Sequence, residues 1–68
     1  MEYGTVKWFN ARRGYGFLTG EDGNDYFVHH SKIVMDGFRT LRSGQAVTYG
    51  IEKDDKERNI AVDVKLAE

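Results

Sequence analysis

Residues 11–29, ARRGYGFLTGEDGNDYFVH, decide how this chain folds. Large rings stand at alternate positions, Tyr15 and Phe17, and a third, Phe27, follows a segment rich in turn formers, Gly20-Glu21-Asp22-Gly23-Asn24. Those five residues tolerate the dihedrals of tight turns, so the spacing predicts a hairpin with arms Tyr15–Thr19 and Asp25–His29. Successive side chains of a strand leave opposite faces. Tyr15, Phe17 and Thr19 therefore share one face of the first arm, and Gly14, Gly16 and Leu18 the other. On the second arm Asp25, Phe27 and His29 oppose Tyr26, Val28 and His30. A core built of branched aliphatics takes Leu18 and Val28 inward, which sends Tyr15, Phe17, Phe27 and His29 outward. Parity couples the two sets, so the rings enter the core only if the aliphatics leave it.

Working outward from the hairpin, short apolar runs predict three more strands: Tyr3–Asn10, Ala46–Lys53 and Ile60–Leu66. Eight glycines and no proline accompany them, and no window keeps the i, i+3, i+4, i+7 stripe of an amphipathic helix. Asn10–Gly14 is a tight link, so the first three strands form a meander. Ser31–Gly44 is a longer crossover in which Ser31 is expected to cap one short helical turn, and Asp54–Asn59 is a charged loop. Val6 reads as core and Trp8 as part of the ring face although they share parity. A bulge near Trp8 resolves the conflict and lets Trp8 and Phe9 reach or border that face. The core is expected to hold Val6, Leu18, Val28, Ile33, Val47, Ile51, Ile60, Val62 and Val64. Five strands with one long crossover predict an all-β fold, a small closed five-stranded antiparallel barrel of OB type, because closure hides the sheet edges. By spacing alone an SH3-like barrel fits nearly as well.

The 68 residues are expected to form one domain, and a chain this short buries only about 60% of its unfolded surface. There is no cysteine, hence no disulfide staple and no thiolate metal site. Neither a signal peptide nor an apolar run near the ~20 residues of a membrane span is visible, so a cytoplasmic protein without membrane contact is expected. Net charge is −1, which does not announce a polyanion binder. The distribution says more: Lys7, Arg12 and Arg13 outweigh Glu2 near the start, Glu21, Asp22 and Asp25 follow, and basic residues return with Lys32, Arg39 and Arg42. Folding can gather the cations on one face.

Planar rings on an open sheet beside cations suit single-stranded nucleic acid, whose bases stack at about 1–3 kcal/mol each. Lys7, Arg12 and Arg13 are placed to meet phosphates, and Gly14 and Gly16 leave room for close approach. Asp25 either accepts a hydrogen bond from a base or anchors Lys7 or Arg13, and Glu21-Asp22 reads as a solvated turn. His29 and His30, adjacent in a strand, face opposite ways. They therefore supply neither a shared metal site nor the converging pair a phosphodiester-cleaving enzyme needs, and His29 is read as a stacking or hydrogen-bonding partner. No catalytic residue, metal ligand, cofactor or small-molecule substrate is expected, and no phosphate-binding loop is present. The rival reading is an SH3-type groove for proline-rich peptide.

Arg13-Gly14-Tyr15-Gly16-Phe17-Leu18 resembles the first ribonucleoprotein motif, and Tyr26-Phe27-Val28-His29 resembles the second. With Val6-Lys7-Trp8-Phe9-Asn10 before them and Gly37-Phe38-Arg39-Thr40-Leu41 after, the whole chain resembles the bacterial cold-shock proteins. The resemblance implies an OB-type barrel, here expected to be monomeric, that binds single-stranded RNA and DNA with a preference for pyrimidine-rich stretches. It further implies ATP-independent RNA-chaperone action and regulation of transcription or translation. The site residues it implies are Lys7, Trp8, Phe9, Asn10, Arg13, Tyr15, Phe17, Asp25, Phe27, His29 and Phe38, the last as a ring that folds over a bound base. Two positions and one stretch depart from the family pattern. His30 stands where an aromatic is common, and Tyr15 where phenylalanine is. Lys56-Glu57-Arg58-Asn59-Ile60-Ala61 replaces a stretch usually containing Gly-Pro-Gln, with Lys56 and Arg58 kept as sources of charge.

Overall fold

The computed structural model describes residues 1–35 and 40–67. Five strands follow one another along the chain: β1 (Glu2–Asn10), β2 (Tyr15–Gly20), β3 (Asp25–His29), β4 (Ala46–Lys53) and β5 (Asn59–Leu66), with a 3₁₀ turn at His30–Lys32 after β3. They close into a barrel in the order β1-β2-β3-β5-β4, with β1 also paired to β4. The expected strands are all found, their ends within a residue of expectation.

One feature corrects the sequence reading. The barrel is not antiparallel throughout, because β3 and β5 run parallel where Phe27 faces Ile60. The reason is topological: strand direction cannot alternate at every junction of a closed ring with an odd number of strands.

The interior follows the parity of the hairpin. Leu18 and Val28 are fully buried, joined by Val6, Ile33, Val47, Val62 and Val64. The bulge foreseen near Trp8 is present: Val6 pairs with Leu18 and Trp8 with Phe17, leaving Lys7 as the extra residue of β1. Val6 can thus point inward while Trp8 turns outward. A Cβ at Gly16 would overlap the Trp8 carbonyl oxygen and lie 2.7 Å from Phe9 Cα, so glycine is required where Phe9 leans against the core.

The expected core is wrong at one residue and incomplete at four. Ile51 is 41% exposed and Ile60 only half-buried, whereas Tyr26, Leu41, Tyr49 and Ala61 are buried. A second irregularity explains part of this. Thr48 pairs with Lys65 but Gly50 with Val62, so β5 carries an extra residue, and Asp63 there adopts a left-handed φ of 51°. This bulge brings Ala61 onto the inner face with Val64. Beyond it the last three residues of β4 are exposed on both faces, and Ile51 goes with them.

Both sharp turns that frame the hairpin are held by side-chain carbonyl or carboxylate oxygens. Asn10 Oδ1 accepts from the backbone N–H groups of Arg12 (3.0 Å) and Arg13 (3.1 Å), and Gly14 takes a φ of 80° with the His30 ring packed where a Cβ would stand. Asp22 is more than a solvated turn residue. It accepts the Tyr26 hydroxyl at 2.6 Å and the Asn24 N–H at 3.0 Å, and these bonds, the Tyr26 one foremost, hold its carboxyl below the usual range.

Candidate nucleic-acid interface

The outer face of β1–β3 carries four rings in a closed circuit. Trp8 lies 5.9 Å from Tyr15 and 5.5 Å from Phe17, while Phe27 lies 5.9 Å from Tyr15 and 5.8 Å from Phe17, centroid to centroid. The ladder dictates this grouping, since Phe17 is registered with Trp8 on one side and Phe27 on the other. Trp8 is 38% exposed and the other three half-buried. Their partial burial comes from contact with one another, in the tilted and edge-on arrangements that ring quadrupoles favour. A contiguous aromatic patch of this kind on a small protein marks a binding surface.

Charge borders the rings. Lys7, displaced outward by the bulge, places Nζ 2.7 Å from Asp25 Oδ2, and Thr19 Oγ1 donates to Asp25 Oδ1 at 3.0 Å. These two bonds, Lys7 first, hold the Asp25 carboxyl below its usual range. Of the two roles open to Asp25 the structure therefore shows the anchor, with Lys7 rather than Arg13 as its partner. Arg12 and Arg13 are exposed on the Asn10 turn.

Beside Phe17 and Phe27 opens a groove of about 490 Å³, completed by Asn24, Asp25, Arg58 and Asn59. The loop that brings Arg58 there is organised by Asp54. Its Oδ1 accepts from the N–H groups of Lys56 (2.9 Å) and Arg58 (2.8 Å), and its Oδ2 accepts from Arg58 Nε (2.8 Å). Donation from Arg58, backbone before side chain, depresses the Asp54 carboxyl. Glu57 closes the loop with a left-handed φ of 61°.

The remaining candidates fall elsewhere. Phe9 is half-buried against the core rather than on the ring circuit. Asn10 uses its side-chain oxygen to hold the turn, and Lys56 does not line the groove. His29 stands opposite Tyr15 in the ladder. The reading that His29 and His30 face opposite ways is overturned: β3 ends at His29, the 3₁₀ turn begins at His30, and the two rings lie 4.4 Å apart. Strand parity lapses where the strand does. The same turn is capped by His29 rather than Ser31, since His29 Nδ1 accepts the Ser31 N–H at 3.3 Å. Phe38 lies outside the described residues. Among the described residues no group of three metal-ligating side chains occurs and no helix is long and apolar enough to cross a membrane. Asn24 and Asn59 were missed by the sequence reading. Flanking the rings in space, they carry no motif signal of their own.

Residues 2–67 match the family described as "'Cold-shock' DNA-binding domain". "Cold shock protein 1" of Lactiplantibacillus plantarum is 64% identical over 82% of this chain and 85% of its own length. "Cold shock protein CspC" of Bacillus subtilis is 55% identical over 78% and 80%, and "Cold shock protein CspA" of Staphylococcus aureus 48% identical over 97% and 100%. Among solved structures, "drosophila Unr CSD456" superposes with a TM-score of 0.80 at 22% identity, over 98% of this chain and 26% of that longer one, a likeness of fold alone. The chain belongs to the cold-shock domain family, a nucleic-acid-binding and non-enzymatic one.

Proposed function

We propose that the protein is a monomeric, ATP-independent RNA chaperone that captures unpaired bases of single-stranded RNA or DNA by stacking them on Trp8, Tyr15, Phe17 and Phe27. The observation that carries this reading is the closed circuit of four rings on an outer face whose inner counterpart, Leu18 and Val28, is fully buried. A duplex hides its base faces, so only transiently opened strands are bound, and melting proceeds by mass action. Pyrimidine-rich stretches are favoured because they are flexible and easily splayed onto stacking platforms. With a net charge of −1, stacking contributes a larger share of affinity than counterion release. Arg13 and Lys7 meet phosphates at the rim, and His29 continues the stacking row past Tyr15.

Titration with oligothymidine, a matched duplex and a proline-rich peptide, read by Trp8 fluorescence, tests the proposal. Quenching by oligothymidine at moderate salt is expected, with little response to the other two. A response to the peptide alone restores the SH3-type reading. Labelled RNA incubated with the protein is expected to keep its length, and shortening would reveal a nuclease.

A further inference from the structure

We propose that Arg58 makes the groove beside Phe17 and Phe27 a subsite for guanine, a point of base specificity inside an otherwise pyrimidine-favouring surface. The inference rests on the nucleic-acid reading above and deepens it. The groove brings together two stacking rings, an acceptor-only carboxylate at Asp25 and a donor-only guanidinium at Arg58, and Asn24 and Asn59 complete its lining. Arg58 is held in place, its backbone N–H and Nε both donating to Asp54. Among the described residues that Nε bond is its one side-chain hydrogen bond, so both terminal nitrogens keep their donors. A fork of two parallel N–H donors is matched by two adjacent acceptors on one base edge, and guanine O6 and N7 provide that pair.

The alternatives fit less well. Adenine and cytosine place an amino donor on the corresponding edge, and thymine or uracil offers a single carbonyl to the fork. Guanine also carries an amino donor at N2, which suits the Asp25 carboxylate. A phosphate seated in the groove would also satisfy Arg58, but it offers no flat face to Phe17 and Phe27 and no donor to Asp25, whose charge is already paired with Lys7. The combination of acid, base and ring therefore selects a nucleobase over the backbone, and a guanine over the other bases.

The test is a positional scan of oligothymidine about seven nucleotides long, near the footprint of one OB-type barrel, with a single dG moved through each position and Trp8 quenching as readout. One position is expected to favour dG over dT by about tenfold, within the range of a bidentate arginine–guanine contact. Replacing that dG by 7-deaza-dG, which lacks the N7 acceptor, is expected to abolish the advantage. Arg58→Lys keeps the charge and the backbone bond to Asp54 but removes the fork, so its dG-to-dT affinity ratio at that position should fall to about one, whatever its affinity for unsubstituted oligothymidine. A flat scan with intact oligothymidine binding overturns the guanine subsite alone, as does a dG preference that survives Arg58→Lys. Absence of quenching by every oligonucleotide overturns the nucleic-acid reading itself, and this inference with it.

Discussion

The two faces of the β2–β3 hairpin are built from the same ten or so residues and do opposite work. Inward, Leu18 and Val28 are fully buried and Gly16 is kept bare so that Phe9 can fill the space. Outward, Tyr15, Phe17 and Phe27 touch chiefly one another and Trp8. Inner positions are fixed by volume, because every neighbour is also buried and none can relax freely. Outer positions are fixed by register alone. The lesson is that stability and recognition can be assigned to alternate residues of one strand, so that either can be damaged with limited harm to the other.

The sharpest attempt to break this division is Leu18→Ala. Truncation inside a close-packed core costs about 2–5 kcal/mol, which denaturant unfolding should register as the largest stability loss of any change considered. A smaller loss than that of Phe27→Ala would reverse the assignment of the faces. Next come Phe17→Ala and Phe27→Ala, each expected to weaken oligothymidine binding by about 1–3 kcal/mol in fluorescence titration while circular dichroism shows a folded barrel. Glu57→Gly addresses neither face. Relieving a left-handed side-chain-bearing residue should raise stability by about 1 kcal/mol, visible as a higher unfolding midpoint. Lys7→Ala should have the smallest effect on folding, about 0–1 kcal/mol for an exposed ion pair, but should flatten the salt dependence of binding by roughly one phosphate contact.

Acid should test the polar frame that supports both faces. Asp22, Asp25 and Asp54 all titrate below the ordinary carboxylate range, drawn down first by Tyr26, Lys7 and Arg58 respectively. A depressed folded value means that the unfolded chain binds protons more readily. The stability these groups contribute is therefore fully present above the unfolded value of about 4 and is lost as pH falls through the folded ones. Unfolding followed from pH 6 downward should show Asp22→Asn losing the part that the Tyr26 contact supplies. At the other extreme, burial pushes the Tyr49 hydroxyl up to about 12, so its contribution is complete below the ordinary tyrosine value of about 10 and fades as pH rises beyond it. Tyr49→Phe should remove that alkaline loss.

Where the sequence could be read, it was read through the period of two. Phe17 and Phe27 were legible as outward because each has an aliphatic neighbour, Leu18 and Val28, with a stronger claim on the interior, and Tyr15 shares the parity of Phe17. The β1 bulge was legible too, since Val6 and Trp8 made incompatible demands on one parity. The β5 bulge was not, because an aspartate at position 63 gives no local sign of a left-handed backbone, and Ala61 and Ile51 were misjudged in consequence. His29 and His30 failed for a related reason: parity was carried one residue past the end of the strand. The Asp22–Tyr26 bond joins residues four apart that meet across the hairpin turn, which also carries Asn24, whereas Arg58 and Asn59 meet the rings through the pairing of β3 with β5.

The chain alone determined five strands, the inward and outward sides of the β2–β3 hairpin, and a ring surface beside cations, because alternation is a local property that neighbouring residues enforce on each other. Only the closed barrel decided where the parallel junction falls, which face the ends of β4 and β5 present, and which polar groups stand around Phe17 and Phe27. Those outcomes depend on register between strands distant in sequence, which no single stretch of residues encodes.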